Sequence, residues 1–211
     1  MLPDLSVLLP FALAVVVIAL TPGPDMTFYL GRALSQGRGA GLVALAGACT
    51  GVVVHTMLVA LGLSALIVAA PAAFLAVKVA GAAYLAWLAY QAIRHGSALT
   101  LPGGPLPRAS LPATWASGVA INLLNPKILL FFMTFLPQFV SAGDPAAAAK
   151  LVTLGLLFIV IALFVTVPMV LAADRVSLAL RGNPRIARTF DWLFAGIFAA
   201  FALQLLLGRD G

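Results

Sequence analysis

Two ionisable residues stand inside long apolar stretches of this 211-residue chain. Asp25 closes the run Thr21-Pro22-Gly23-Pro24-Asp25, and Lys127 closes Asn122-Leu-Leu-Asn125-Pro126-Lys127. Ionisable groups at membrane depth are costly and usually line a route for a polar solute. A carboxylate and an ammonium together complement a zwitterion, which carries one of each. The other reading is a structural Asp25–Lys127 ion pair that holds two parts of the protein together. Both readings hold if a substrate competes with the pair.

Each run also breaks a helix. Pro22, Pro24 and Pro126 lack an N–H and free the carbonyls of Ile18, Leu20 and Asn122, and each biases the preceding residue away from helix. In lipid such carbonyls need partners, so the breaks must face protein or a wet cavity. Asn125-Pro126 reads as an N-cap followed by proline at the first helical position. A second half-helix then starts at Pro126, with unpaired N–H groups and its positive end at the break. Gly23-Pro24 plays the same part earlier and puts Asp25 in a first turn. Thr21, Gly23, Asn122 and Asn125 therefore join Asp25 and Lys127 as candidate substrate-binding residues. His55 lies within the second apolar run on a face shared with Gly47, Gly51 and Gly62. It is a candidate for proton coupling beside Asp25, against the plainer role of a core histidine on a close-packed seam.

The elements that position these residues follow from composition. The chain is 63% hydrophobic and 9% charged, whereas soluble domains run near 45–50% and about 25%. That excludes a soluble enzyme or a DNA-binding domain. Between Gly39 and Val77 there is no charge. As one helix this run would be roughly 59 Å long, too long for a single crossing of a ~30 Å hydrocarbon core. It must turn near Pro71. The apolar blocks give six transmembrane helices, at about 5–31, 41–68, 72–93, 113–140, 148–173 and 190–208. The period-two alternation of a β-barrel is absent. Cys49, the single cysteine, excludes an internal disulfide and reads as a small packed side chain.

The net charge of +6 would suggest nucleic acid in a soluble protein. Here it records topology. Arg32, Arg38, Arg94, Arg108, Arg175, Arg181, Arg185 and Arg188 fall in loops on one side, against Lys150 and Arg209 on the other. The positive-inside rule then puts both termini outside the cytoplasm. The first residues carry no basic side chain and do not resemble a cleavable signal. Lys78 reads as snorkelling from the third helix, with Gly81-Ala82-Ala83 as a contact surface. Pro137 and Gln138 are candidates for an outer gate. The segment 174–191 alternates apolar residues with arginines and suits an interfacial amphipathic helix.

Pro24 and Pro126 lie 102 residues apart, close to half the chain. Three spans follow the same plan in each half, and three is an odd number, so the second half enters from the opposite side. The fold expected is thus all-α integral membrane, a single domain over 1–211. It is built as two inverted-topology three-helix repeats, 1–99 and 100–211, with helices 1 and 4 broken by proline. Paired interrupted spans are the best sequence pointer to a transporter's substrate site.

These motifs resemble the LysE/RhtB family of bacterial amino-acid exporters, of the homoserine, threonine and leucine exporter type, over nearly the full length. The carrying residues are Thr21-Pro-Gly-Pro-Asp25 and the glycines Gly37, Gly39, Gly41, Gly47 and Gly51. Lys78-Val-Ala-Gly-Ala-Ala-Tyr-Leu85, the block from Gly118 through Asn122 and Lys127 to Phe132, and Phe135-Leu-Pro-Gln-Phe-Val140 complete the set. Ala202 stands where such proteins often have glycine. The resemblance implies export of an amino acid across the bacterial cytoplasmic (inner) membrane, driven by an ion gradient of protons. It implies no enzymatic activity, no cofactor, no metal site and no nucleic-acid partner. The partners are an amino acid, a coupling proton and the bilayer, with a homo-oligomer compatible. Competition between proton and substrate for Asp25 would give antiport directly. A metal-cation exporter of related fold is disfavoured because Cys49 and His55 are the only soft ligands in the spans. An intramembrane hydrolase would want a Ser–His pair or two membrane aspartates.

Overall fold

The structure, a computed structural model, describes residues 5–69, 107–140 and 144–207 and the isolated positions 79, 83, 87, 90, 93 and 94. Among the described residues every regular element is helical. The chain runs through α1 (Leu5–Leu20), α2 (Pro24–Gln36), α3 (Arg38–Ala69), α4 (Leu111–Leu123) and α5 (Pro126–Leu130). A π-helical stretch Phe131–Phe135 and a 3-10 turn Leu136–Phe139 follow, then α6 (Ala147–Leu171), α7 (Ala173–Gly182) and α8 (Pro184–Leu207). The expected third helix, with Lys78 and the Gly81-Ala82-Ala83 surface, lies outside the described residues apart from those isolated positions.

Among the described residues two helices, α3 over Arg38–Gly62 and α6, are long and apolar enough to cross a membrane. The pairs flanking residues 21–23 and 124–125 pass the same test jointly and are bent by 53° and 55°. Leu61 and Phe164 are 71% and 79% exposed on these helices. Such side chains suit a lipid-facing surface, and a water-soluble protein would not array them this way.

Helix ends follow local chemistry. The first apolar segment does not stop at Gly31 as its composition suggests. It continues as α2 through Arg32 to Gln36, and Gly37 ends it at φ 92° with its N–H on Ala33 O. That left-handed conformation favours glycine. Arg32 and Gln36 strap this end to the segment ahead of α4. Arg32 Nη1 donates to Pro107 O at 2.8 Å, Gln36 Nε2 donates to Ala109 O at 3.0 Å, and Ala109 N donates back to Gln36 Oε1. At the other extreme, α8 starts at Pro184, six residues before the expected Phe190. Asn183 Oδ1 accepts the Arg185 N–H there, an arrangement suited to a cap followed by proline. The segment 174–191 is consequently split between α7 and the first turns of α8.

The helices meet on small residues. A Cβ on Gly47 would come within 2.2 Å of Trp115 O, and one on Gly118 within 2.4 Å of Ala44 O. α3 and α4 therefore touch backbone to backbone, as small residues allow between membrane helices. Gly155 of α6 instead receives the side chain of Thr56 of α3. A Cβ at Gly62 meets nothing among the described residues, so Gly62 is not part of the seam that holds Gly47 and Gly51. Beyond it Phe11, Phe131, Phe132, Phe135 and Phe158 form a buried aromatic cluster, with neighbouring ring centroids as close as 4.7 Å. The π turn crowds three of these rings onto one side. Pro137, which cannot donate to an α-helical ladder, sits in the 3-10 turn that follows and is buried beside Leu136.

Candidate functional site

The two bends face each other. Pro22 leaves the Ile18 carbonyl without its helical donor, and Lys127 Nζ takes it at 3.0 Å; the same Nζ donates to Thr21 O at 2.7 Å. Gly23 makes this approach available, because a Cβ there would lie 3.2 Å from Lys127 Nζ. The Thr21 hydroxyl is turned back onto Val17 O at 2.7 Å. Thr21 thus serves Lys127 through its backbone.

Across the second bend, Asn125 works with both ends of its amide. Its Oδ1 accepts the Lys127 N–H at 3.1 Å and caps α5, while its Nδ2 donates to Asp25 Oδ2 at 2.9 Å. Asn122 Nδ2 donates to the same oxygen at 2.9 Å. A carboxylate only accepts, so two amide N–H groups on one oxygen suit the ionised form. Asn122 and Asn125 are each 1% exposed. Asp25 and Lys127 are consequently bridged through Asn125, and each is tied down by further partners of its own.

Pro126 leaves the Asn122 carbonyl short of a donor; Asn125 N bonds it at 3.1 Å and His55 Nε2 approaches it at 3.4 Å. The His55 ring stacks on Phe132 at 5.9 Å between centroids. His55 stands behind Asn122 and is not among the residues that line the cavity described next. Gly51 seats Asn122 from the other side, with no room for a Cβ, which would fall 2.5 Å from Oδ1.

In front of these groups lies a cavity of about 60 Å³, room for a few waters or a small substituent. Asp25, Asn122 and Lys127 line it at one end, and apolar side chains such as Val52, Phe158 and Ala162 line the rest. Asp25 Oδ1 is buried and takes no hydrogen bond, in contrast to Oδ2. Buried polar atoms are nearly always satisfied, so such an exception calls for an explanation. Among the described residues no group of three or more His, Cys, Asp or Glu could hold a metal ion.

The sequence motifs supply Asp25, Asn122, Asn125, Lys127, Thr21 and Gly23, and the structure brings all six together. The rest of the cavity wall carries no motif. Tyr29 follows Asp25 on one face of α2, Met26 lines the cavity beside them, and Thr166 comes from α6, which runs unbroken from Ala147 to Leu171. The one signal for Tyr29 was its spacing, four residues after Asp25 and so on the same helix face. Cys49, expected as a packed side chain, also lies on this wall.

The chain is 29% identical to the threonine efflux protein of Escherichia coli strain K12, over 97% of this chain and all of that protein. It is 29% identical to the homoserine/homoserine lactone efflux protein of Salmonella typhimurium, over 94% and 95% of the two. It is 28% identical to the leucine efflux protein of Klebsiella pneumoniae, over 93% of each. No solved structure matches the chain. The sequence model of the LysE type translocators matches residues 16–209, and the chain belongs to that family of membrane exporters.

Proposed function

We propose that the protein exports a small neutral amino acid from the cytoplasm by proton antiport, holding it between the two bends. The observation that carries this reading is the asymmetry of Asp25. Oδ2 is held by two amides, while Oδ1 is buried without a partner beside the cavity. An ammonium group or a proton would satisfy it, and each would exclude the other. Lys127, on the same wall, supplies positive charge for the substrate carboxylate. Thr21 and Gly23 seat Lys127, and Asn122 and Asn125 seat Asp25. His55 acts on this site through Asn122. The names of the three relatives cover threonine, homoserine or its lactone, and leucine, all uncharged in the side chain, as the apolar remainder of the wall requires.

In the proposed architecture each bent pair is one span interrupted by its prolines, Pro22 and Pro24 in one and Pro126 in the other. Six spans form two inverted repeats, 1–99 and 100–211, in a single domain of the bacterial inner membrane. Both termini lie outside the cytoplasm. Meeting of the two bends supports this plan, since inverted repeats place their broken helices at a common midplane site.

The test is counterflow of a panel of amino acids in proteoliposomes, with and without an imposed pH gradient. Asp25→Asn keeps the acceptor for both amides and removes the charge. It should lose gradient-driven export by at least about tenfold, a loss of roughly 1.4 kcal/mol in transition-state terms. Lys127→Ala should abolish export in protein that still reaches the membrane. Normal transport by either variant would refute the assignment.

A further inference from the structure

Tyr29 lines the cavity and is 4% exposed, yet its hydroxyl has no hydrogen bond with any described residue. A hydroxyl in so enclosed a place gains by bonding a polar atom that enters the space. The other polar residue on the apolar part of the wall, Thr166, has already spent its O–H on Ala162 O at 2.8 Å. Tyr29 is therefore the hydroxyl left for whatever fills the space.

Its position says which part of a substrate it meets. Gly23, Asp25 and Tyr29 follow one another at the break and along α2, and Lys127 Nζ stands beside Gly23. Four residues of helix separate Asp25 from Tyr29, an axial distance of about 6 Å on one face. Positive charge is thus at one end, the carboxylate in the middle and the phenol at the far end. An α-amino acid has three substituents to distribute among them. With carboxylate toward Lys127 and ammonium on Asp25, the third substituent points to Tyr29.

We infer that Tyr29 is a specificity-determining residue, whose hydroxyl hydrogen-bonds a hydroxyl on the side chain of a small substrate and disfavours the isosteric apolar one. This rests on the exporter site proposed above. Met26, Leu45, Val52 and Phe158 close the space around it, so the substrate side chain is small, with its single polar atom at the phenol. A site built to bond a substrate hydroxyl discriminates strongly against the analogue that lacks it, because the protein group is then left unpaired.

Threonine and valine are the pair that isolates this bond, since they differ by a hydroxyl in place of a methyl. Counterflow in proteoliposomes should favour threonine over valine by about tenfold or more in the wild-type protein. In Tyr29→Phe the ratio should fall toward one, chiefly by loss of threonine flux, with valine flux kept or raised. An unchanged ratio in a variant that still transports overturns the inference. So does loss of all amino-acid transport by Tyr29→Phe that elutes as folded protein, because Tyr29 would then serve translocation in general. A wild-type ratio near one overturns it whether or not the variant folds, and leaves the exporter reading standing. Wild-type protein that moves no amino acid removes the exporter reading, and this inference with it.

Discussion

Asn125 joins the two bends through one side chain, and its contributions can be separated by substitution. Asn125→Ala removes the cap on Lys127 N, about 1 kcal/mol for such a cap, together with the bond to Asp25. A hydrogen bond to a charged group contributes about 1.5–3 kcal/mol. The two together predict a loss of about 2.5–4 kcal/mol. Asn125→Ser keeps a cap oxygen and cannot reach Asp25, so it should lose only the second part. Unfolding of the purified protein in mixed micelles gives each value, and a double-mutant cycle with Asp25→Ala isolates the coupling. Neutral interhelical hydrogen bonds in membranes average about 0.6 kcal/mol. A coupling above about 1.5 kcal/mol would therefore identify an ionised Asp25, while one near the neutral average would refute the carboxylate described above. Equal losses in the Ala and Ser variants would refute the cap.

Two further outcomes follow from packing and charge. Gly47→Ala puts a methyl 2.2 Å from the Trp115 carbonyl, where only backbone could yield. It should destabilise by about 1–3 kcal/mol or more, whereas Gly39→Ala, with nothing within 4 Å, should be neutral or stabilising by up to about 1 kcal/mol; thermal unfolding of the two variants checks the contrast. In the loop before α6, the Lys150 ammonium and the Ala146 N–H bond Asp144 and hold its carboxyl below its usual value of 3.8. A depressed carboxyl stabilises the fold above that value and ceases to do so as pH falls through the folded one. The melting-temperature gap between wild type and Lys150→Met should be present at neutral pH, close in acid below 3.8, and shrink in high salt.

How much of this was legible beforehand depends on the range of the interaction. Asn125-Pro126 specifies its own geometry, a cap oxygen followed by a residue with no N–H to satisfy, and α5 begins there. The pairing of Pro22 with an orphan carbonyl is equally local. That Lys127 would supply the missing donor is not, because the partners are 109 positions apart and meet only through tertiary packing. The same holds for Asp25, which a reading by charge alone pairs with Lys127 and which the structure gives to two asparagines. Tyr29 and Thr166 were hidden for another reason: in a chain this apolar, one hydroxyl on a helix face has no contrast with its neighbours until the cavity is seen. The π turn at Phe131–Phe135 was hidden as well, since it goes with the inward packing of Phe131, Phe132 and Phe135, which only the tertiary fold shows.

The seam of Gly47, Gly51 and Gly118 has a mechanical consequence. It joins α3, from before position 100, to α4, from after it. Where a carbonyl oxygen rests on a Cα there is no side chain to change rotamer, and sliding by a residue drives one backbone into the other. The halves of the sequence are therefore not the halves of the machine. If the proposed exporter opens the Asp25 cavity to one side and then the other, that motion should carry α3 and α4 as one rigid body. On that reading the flexure is expected where regular helix is interrupted, at the bend of residues 21–23 and at the left-handed Gly37.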